Sequence, residues 1–512
     1  VPGNASVVGG ARYPQIMAER VDHQDTTLVV LANHIPNMVA WTLDWAIQQR
    51  EAGRQVALLD AGWQASRYAG RRSRVLVDNY SHKGGINATI RSVCKDHNIE
   101  YLGTAWPSFE AGDQTIRPED TELFTTCVRS TYARYFGSAE IALEDLEENT
   151  LRDERRAFNS TLRLVQSTLD AHPDIAQVVT TNGRFVVDTA IVHTARRHGA
   201  STLTLERSPS DLGKILEFRV ATHSVSEWQR LIREFWALRP DSVDDVETIS
   251  ASHLEARVSG GWAWTANQLS GSEILRALGD SRYVAYFPTS DWEFSAFGDP
   301  VPEGRFASQV ESFEAVCAEA RNHGLDVVVR GHPQPGDARA AALEDALWWR
   351  RTAEHGAKYI PCNADASSVE LAAKAVFSAV HESSIGVDLM WLGLPVVVLS
   401  KTSYSFLAPE TEAQDREALA QYFTAPKSVQ SREQLLPYGY FEAAAGMRLV
   451  AFRVYAHNSV KYRGTPFLAD RTRLFTTRKV FHDTKAWLRK AILRPDWVEA
   501  GEGGVRFRKS DR

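Results

Sequence analysis

The sequence predicts an α/β chain built of two successive domains, each a parallel sheet covered by helices. Two observations predict it. Short apolar runs rich in β-branched residues alternate with longer stretches of helical periodicity, and the alternation starts afresh after the stretch GGWAWTANQLSGS near residue 265. A length of 512 residues agrees, because a domain usually takes ~100–200 residues.

Residues 1–26 read as a lead-in. TLVVLA at 27–32 is a buried strand, and residues 37–52 follow with helical spacing of Met38, Trp41, Trp45 and Ile47 before Gly53. QVALLD is the second strand, which completes a βαβ unit. GGINATIRSVCKDHN then reads as a helix and EYLGT as a strand. Residues 119–170 are mostly helical around a charged middle. IAQVVTTNG, FVVDTAIVHTARRHG and STLTLER read as strand, helix and strand, and SVSEWQRLIREFWALR as an amphipathic helix. These elements make a first domain over 27–265. A second series spans 280–430: the strands YVAYFPTS, LDVVVRGHP, AVFSAVHES and PVVVLS are separated by helical stretches, including IGVDLMWLGL. Residues 431–512 read as a basic helical segment. The tryptophans Trp41, Trp45, Trp228 and Trp349 fall on helices, where packing explains them; Trp292 alone is kept as a ligand contact.

Hydrophobic residues make up 44% and the formal net charge is −6. That balance excludes a disordered chain and a general nucleic-acid binder. The charge is uneven, because Arg471–Arg512 holds 12 basic and five acidic residues. Within it, TTRKVFHDTKAWLRKAIL sets Phe481, Trp487 and Leu488 among cations, the pattern of a peripheral membrane contact. The alternative is a helix crossing back to the first domain. Cys94, Cys127, Cys317 and Cys362 form no CxxC pair, which suits a reducing compartment. No apolar run approaches the ~20 residues of a membrane span, and no leader pattern is visible at residues 1–26. A cytoplasmic protein is expected, at most resting on the inner face of the plasma membrane.

Ligands of open parallel sheets bind beyond the carboxyl ends of the strands. Three such ends in the second domain carry suitable residues. VVVRGHP delivers Arg330, His332 and Pro333, and a histidine there can donate to a phosphate. VHESSIGVD places Ser383 and Ser384 where a strand hands over to a helix, with Gly386 and Asp388 in the first turn. YFPTSDWEF ends a strand at Ser290. Together they form a candidate site for a nucleotide phosphate. In the first domain, His34, Asn182 with Arg184, and Glu206 follow three strands and are expected to face the same cleft.

ESSIGVDLMWLGLPVVVLS resembles the donor-binding signature of GT-B glycosyltransferases, a fold of two Rossmann-like domains facing an interdomain cleft. The His332-Pro333 and Ser383-Ser384 pairs are similar to motifs of bacterial CMP-sugar transferases, among them capsule enzymes that use Kdo. FPTSDWEF, VVRGHPQP and YGYFEAAAG also look like bacterial capsule and surface-polysaccharide transferases. The resemblance covers roughly residues 280–465. It implies that Ser290, Arg330, His332, Pro333, Ser383, Ser384 and Gly386 bind the donor and that Asp388 holds its ribose. His34 resembles the base of a GHxxP loop, although Asn33 replaces the glycine. His34, Glu206 and His332 are the catalytic candidates, and Asn182 and Arg184 line the acceptor side. The implied activity is metal-independent transfer of a hexosyl or ulosonic acid unit, with CMP-Kdo favoured, to a cell-surface glycan or its lipid-linked precursor. No cofactor is implied beyond the nucleotide-sugar substrate. Alternatives of the same fold are a nucleotide-sugar 2-epimerase, a polyol-phosphate transferase or a non-catalytic carbohydrate-binding protein.

Overall fold

A computed structural model describes residues 25–33, 35–61, 85–103, 115–136, 143, 146, 148–222, 224–239, 243–259, 278–279, 281–290, 305–332, 338–362, 364, 366–456 and 459–467. His34, Trp292, Pro333 and the basic segment 471–512 lie outside them.

The first sheet contains β1 (Thr26–Leu31), β2 (Gln55–Asp60), β3 (Glu100–Gly103), β4 (Ile175–Thr181), β5 (Ser201–Arg207) and β6 (Lys214–Phe218). They lie in the order 3-2-1-4-5-6, all parallel except β6, which runs antiparallel to β5. β1 is buried along its whole length, which explains why it reads as a continuous apolar run rather than an alternating one. The connecting helices are α1 (Pro36–Glu51), α2 (Gly85–Asp96), α3 (Thr121–Phe136), α4 (Glu148–Ala171) and α5 (Val186–Arg197), with α6 (Val225–Ala237) and α7 (Val243–Val258) after β6. Trp41 and Trp45 are buried on α1. Their indole N–H groups donate to the carbonyl of Leu212 at 3.1 Å and to Glu217 at 2.5 Å, so they are core residues with satisfied polar ends.

The second sheet repeats the plan. β7 (Tyr283–Phe287), β8 (Asp326–Arg330), β9 (Lys358–Ile360), β10 (Phe377–Val380) and β11 (Val396–Val398) are all parallel. Their order is again 3-2-1-4-5 in the domain's own count. The helices α8 (Gln309–Asn322), α9 (Ala338–His355), α10 (Ser368–Lys374), α11 (Ile385–Trp391) and α12 (Arg416–Thr424) flank it. Trp349 on α9 departs from the packing expectation, being 54% exposed at the edge of the Tyr359 ring. The four cysteines are buried and free.

After α12 the chain crosses back. α13 (Leu436–Ala444) packs on α6 and α7, with Trp228, Phe235 and Phe441 in edge-to-face contact. Here the expected helical segment needs correction. β12 (Met447–Arg448) pairs antiparallel with β6 and becomes the last strand of the first sheet. β13 (Phe452–Ala456), β14 (Ser459–Tyr462) and β15 (Thr465–Phe467) form a small antiparallel sheet. Its turn at Arg463-Gly464 takes positive φ at both residues, 46° and 85°, as a tight hairpin requires. The little sheet is anchored by Asp44 of α1. Its fully buried carboxylate accepts the backbone N–H groups of Val450, Ala451 and Phe452 at 2.8–3.0 Å.

Candidate functional site

The strand order reverses between β1 and β4 in the first sheet and between β7 and β10 in the second. Each reversal opens a crevice at the carboxyl ends, because the adjoining connections leave in opposite directions. A single segment joins the two crevices. The Thr222 N–H donates to the Asn182 carbonyl at 3.2 Å, at the end of β4. A few residues on, Gln229 donates to the Thr402 carbonyl at 2.6 Å, and Ser226 meets Lys401 at 2.5 Å, beyond β11. The ends of β4 and β11 therefore lie against the same segment.

On the second-domain side, Ser290, His332 and the Ser383-Ser384 loop follow β7, β8 and β10, which are neighbours in the sheet. Ser290 is buried and its Oγ lies 3.4 Å from His332 Nδ1. Burial, reinforced by the nearby Arg330 charge, lowers the His332 pKa to about 4. The imidazole is thus neutral near pH 7, which corrects the expectation of an easily charged group. A Ser290 hydroxyl that donates to Nδ1 would leave the proton of the neutral ring on Nε2. Ser384 is exposed and its side chain makes no capping bond. Ser383 is buried, and its carbonyl accepts from the Tyr404 hydroxyl at 2.6 Å. Glu382 between these loops holds a φ of 57° and donates its N–H to Ser400 Oγ at 2.9 Å. A non-glycine residue in that conformation costs ~1–3 kcal/mol, and surrounding bonds must hold it there.

Four expectations on this side meet a different geometry. Arg330 is buried, and its guanidinium donates to the carbonyls of Pro361 and Ala364. It props the loop after β9 instead of reaching a phosphate. Gly331 is required by its own neighbours, since a Cβ there would collide with the Tyr359 hydroxyl and the Cys362 backbone. Gly386 likewise leaves room for the Tyr404 hydroxyl. The α11 end offers less to an anion than the sequence implies, because the N–H groups of Gly386 and Val387 turn back to the carbonyls of Ser383 and Ser384.

Asp388 departs furthest from its expected role with ribose. It is 4% exposed, and both of its oxygens accept from Arg257 of α7, at 2.7 and 3.1 Å. Arg257 also donates to Glu442 of α13 at 2.7 Å. Tyr438 donates to the other Glu442 oxygen at 2.7 Å, and His253 lies 3.3 Å away. Burial raises the Glu442 pKa, but Arg257, with His253 and Tyr438, brings it down to about 2. Asp388 thus ties the Ser383-Ser384 helix to the two helices that carry the chain between domains.

The first-domain side is built differently. Asn182 has a φ of 57° and is buried. Its Nδ2 donates to Glu206 Oε2 at 3.1 Å, while its Oδ1 is enclosed without a hydrogen-bond partner among the described residues. Gly183 follows at a φ of 83°, and a Cβ there would sit 2.7 Å from the Thr204 methyl, so only glycine fits. The loop is thereby pressed onto β5, which is what brings Asn182 to Glu206. Arg184 is buried with its guanidinium 4.9 Å over the Phe185 ring. Asp188, in the first turn of α5, was not singled out by the sequence. Its carboxyl is 3% exposed and accepts from Thr181 at 3.4 Å, and Thr181 in turn faces Asn33 at 3.5 Å. Burial raises the Asp188 pKa to about 8. It is therefore largely protonated at neutral pH. An acid in the first turn of an apolar helix looks like an ordinary helix start, so only the fold exposes it.

Among the described residues, no three His, Cys, Asp or Glu side chains converge as a metal site. No described helix is long and apolar enough to cross a membrane.

No family model and no curated protein matches the chain. Among solved structures, the β-Kdo 2,4 transferase KpsC of Thermosulfurimonas dismutans is 12% identical. That match covers 57% of this chain and 84% of that one at a TM-score of 0.32. The UDP-GlcNAc 2-epimerase of Methanocaldococcus jannaschii is 9% identical over 82% and 97%, at 0.26. MurG of Acinetobacter baumannii is 13% identical over 82% and 94%, at 0.21. Likenesses this distant carry no activity across, and the functional reading rests on the chain's own residues.

Proposed function

We propose that the protein transfers a sugar from a nucleotide-sugar to an acceptor hydroxyl, without a metal. The observations that support this reading are hydrogen-bond donors at the carboxyl end of the second sheet, Ser290, His332 and Ser384, and a fixed carboxylate at the carboxyl end of the first, Glu206 held by Asn182. Glu206 takes the acceptor proton as the new C–O bond forms at the anomeric carbon. The bond from that carbon to the phosphate oxygen breaks, and the electron pair leaves with the phosphate. The neutral His332 Nε2–H and the Ser384 hydroxyl meet the charge that grows on that oxygen. Asp388 has no part in binding the donor. His34 and Pro333 keep the candidate roles that the sequence gives them.

The donor in this reading is a CMP-sugar such as CMP-Kdo, on the strength of the His332-Pro333 and Ser383-Ser384 pairs. The acceptor is a cell-surface glycan or its lipid-linked precursor, reached at the inner face of the membrane through the basic segment 471–512. A thermal-shift panel of CMP, CDP, UDP, GDP and ADP tests the site, because a ligand of the folded state raises Tm by mass action. A rise with CMP is expected. A rise with UDP or GDP alone overturns the donor assignment and keeps the site; no rise with any nucleotide overturns the site. Conversion of the donor sugar without acceptor would make the protein an epimerase.

A further inference from the structure

The first domain holds a cavity of about 510 Å³. It lies between the carboxyl halves of α4 and α5 and the turn at Thr115–Arg117. Arg117, Arg163, His193 and Arg197 converge on it. On α5, Arg197 follows Asp188 by nine residues, which places it about 13 Å further along the helix axis, toward the opposite edge of the sheet.

The cations are set in place from behind. Asp120 is 1% exposed. One of its oxygens accepts Nε and Nη2 of Arg117 at 2.7 and 2.6 Å, and the other faces His193 at 2.9 Å and Arg197 Nη1 at 3.4 Å. Arg117 and Arg197 remain about half exposed while paired in this way. Asn159 fixes the facing turn by donating to the Thr115 carbonyl at 3.1 Å. The other acid on the wall, Asp170, is 61% exposed at the rim and meets His198 and Gln166. Three guanidinium groups, those of Arg117, Arg163 and Arg197, line this one cavity. Guanidinium forks match the oxygens of a phosphate in pairs. The volume far exceeds a lone ion and falls in the range of ~300–1,000 Å³ that holds small organic ligands.

We infer that this cavity binds a phosphate monoester of a small metabolite, of the size of a sugar phosphate, with Arg163 and Arg197 gripping the phosphate. The inference stands apart from the proposed transfer reaction. Isothermal titration of the full chain with glucose 6-phosphate, inorganic phosphate and glucose tests it. Saturable binding of glucose 6-phosphate, weaker binding of inorganic phosphate and none of glucose are expected. Arg163→Gln and Arg197→Gln should each weaken the phosphate ester ~10-fold or more, and Ser384→Ala should leave it unchanged. If Arg197→Gln lowers Tm, Arg163→Gln carries the test alone. Absence of binding, or equal binding by wild type and both arginine variants, overturns the site. Loss of binding in Ser384→Ala places the phosphate at the second sheet instead. Equal affinity for inorganic phosphate overturns the sugar-phosphate assignment, leaving an adventitious ion only.

Discussion

The two sheets share a strand order, but their crevices carry opposite chemistry. The first gathers carboxyl groups: Glu206 is held by an asparagine in a left-handed turn, and Asp188 lies protonated beneath. The second gathers neutral donors: a histidine that stays uncharged, its serine partner and an exposed serine. The charged groups near it, Arg330 and Asp388, are turned into struts. One topology thus supplies two kinds of site, depending on which side chains the loops retain and which they commit to packing. In the proposed reaction the first crevice accepts the proton and the second stabilises the leaving anion.

The largest effect that bears on this contrast is expected at Glu206. Glu206→Gln keeps the Asn182 contact but removes the base, and kcat should fall ~10²–10⁴-fold with nucleotide affinity unchanged. A variant that transfers at the normal rate would place the base elsewhere, with His34 the next candidate. At Arg257 the loss should be one of stability. Arg257→Met strips the buried Asp388 carboxylate of its guanidinium and leaves Glu442 with only Tyr438 and His253, at a cost of ~3–5 kcal/mol, measurable by urea unfolding. If instead stability holds and only nucleotide affinity drops, Asp388 binds ligand after all and the contrast weakens.

For His332→Ala, turnover should drop on the order of 10²–10³-fold, as for other lost oxyanion donors. The pH–rate profile adds a sharper reading: a group with a pKa of about 4 contributes no ionisation between pH 5 and 8. An ionisation in that interval that disappears in the variant would mean that His332 works as a cation. The smallest effect concerns Asp188. Its folded pKa lies above its unfolded value, so its contribution to stability is complete below pH ~4 and is lost as pH rises through about 8. Asp188→Asn should flatten stability across that window and raise Tm relative to wild type above pH 8. An unchanged pH profile would show the carboxyl to be ionised throughout.

Much of this architecture can be read from the chain alone, for a physical reason. Strands buried on both faces read as near-continuous apolar runs, as LVVL of β1, YVAYF of β7 and VVV of β8 do. Ser290 and His332 could be placed because each follows such a run, and Ser384 because it follows the short strand FSAV and opens a helix. What escaped the sequence depends on partners far away in the chain. Asp388 looks available until Arg257, 131 residues earlier, takes both oxygens. Arg330 looks like a phosphate ligand until the carbonyls beyond β9 claim it. β6 is a short antiparallel strand with a lysine and a glutamate, so it lacks the apolar run. The strands after α13 are too short to outweigh the helical periodicity of the basic segment that follows them.

The hold of Asp44 on the amides of residues 450–452 has a consequence for biosynthesis. The carboxylate emerges from the ribosome more than 400 residues before its last partner, Phe452. At ~5–20 residues per second, that gap lasts roughly 20–80 s. During this time α1 carries a buried acid without its amides, and β6 stands as an open edge awaiting β12. The domain translated first is therefore the one completed last. A chain stopped before residue 447 would leave it to chaperones and proteases with its sheet unsealed, even with the whole second sheet already made.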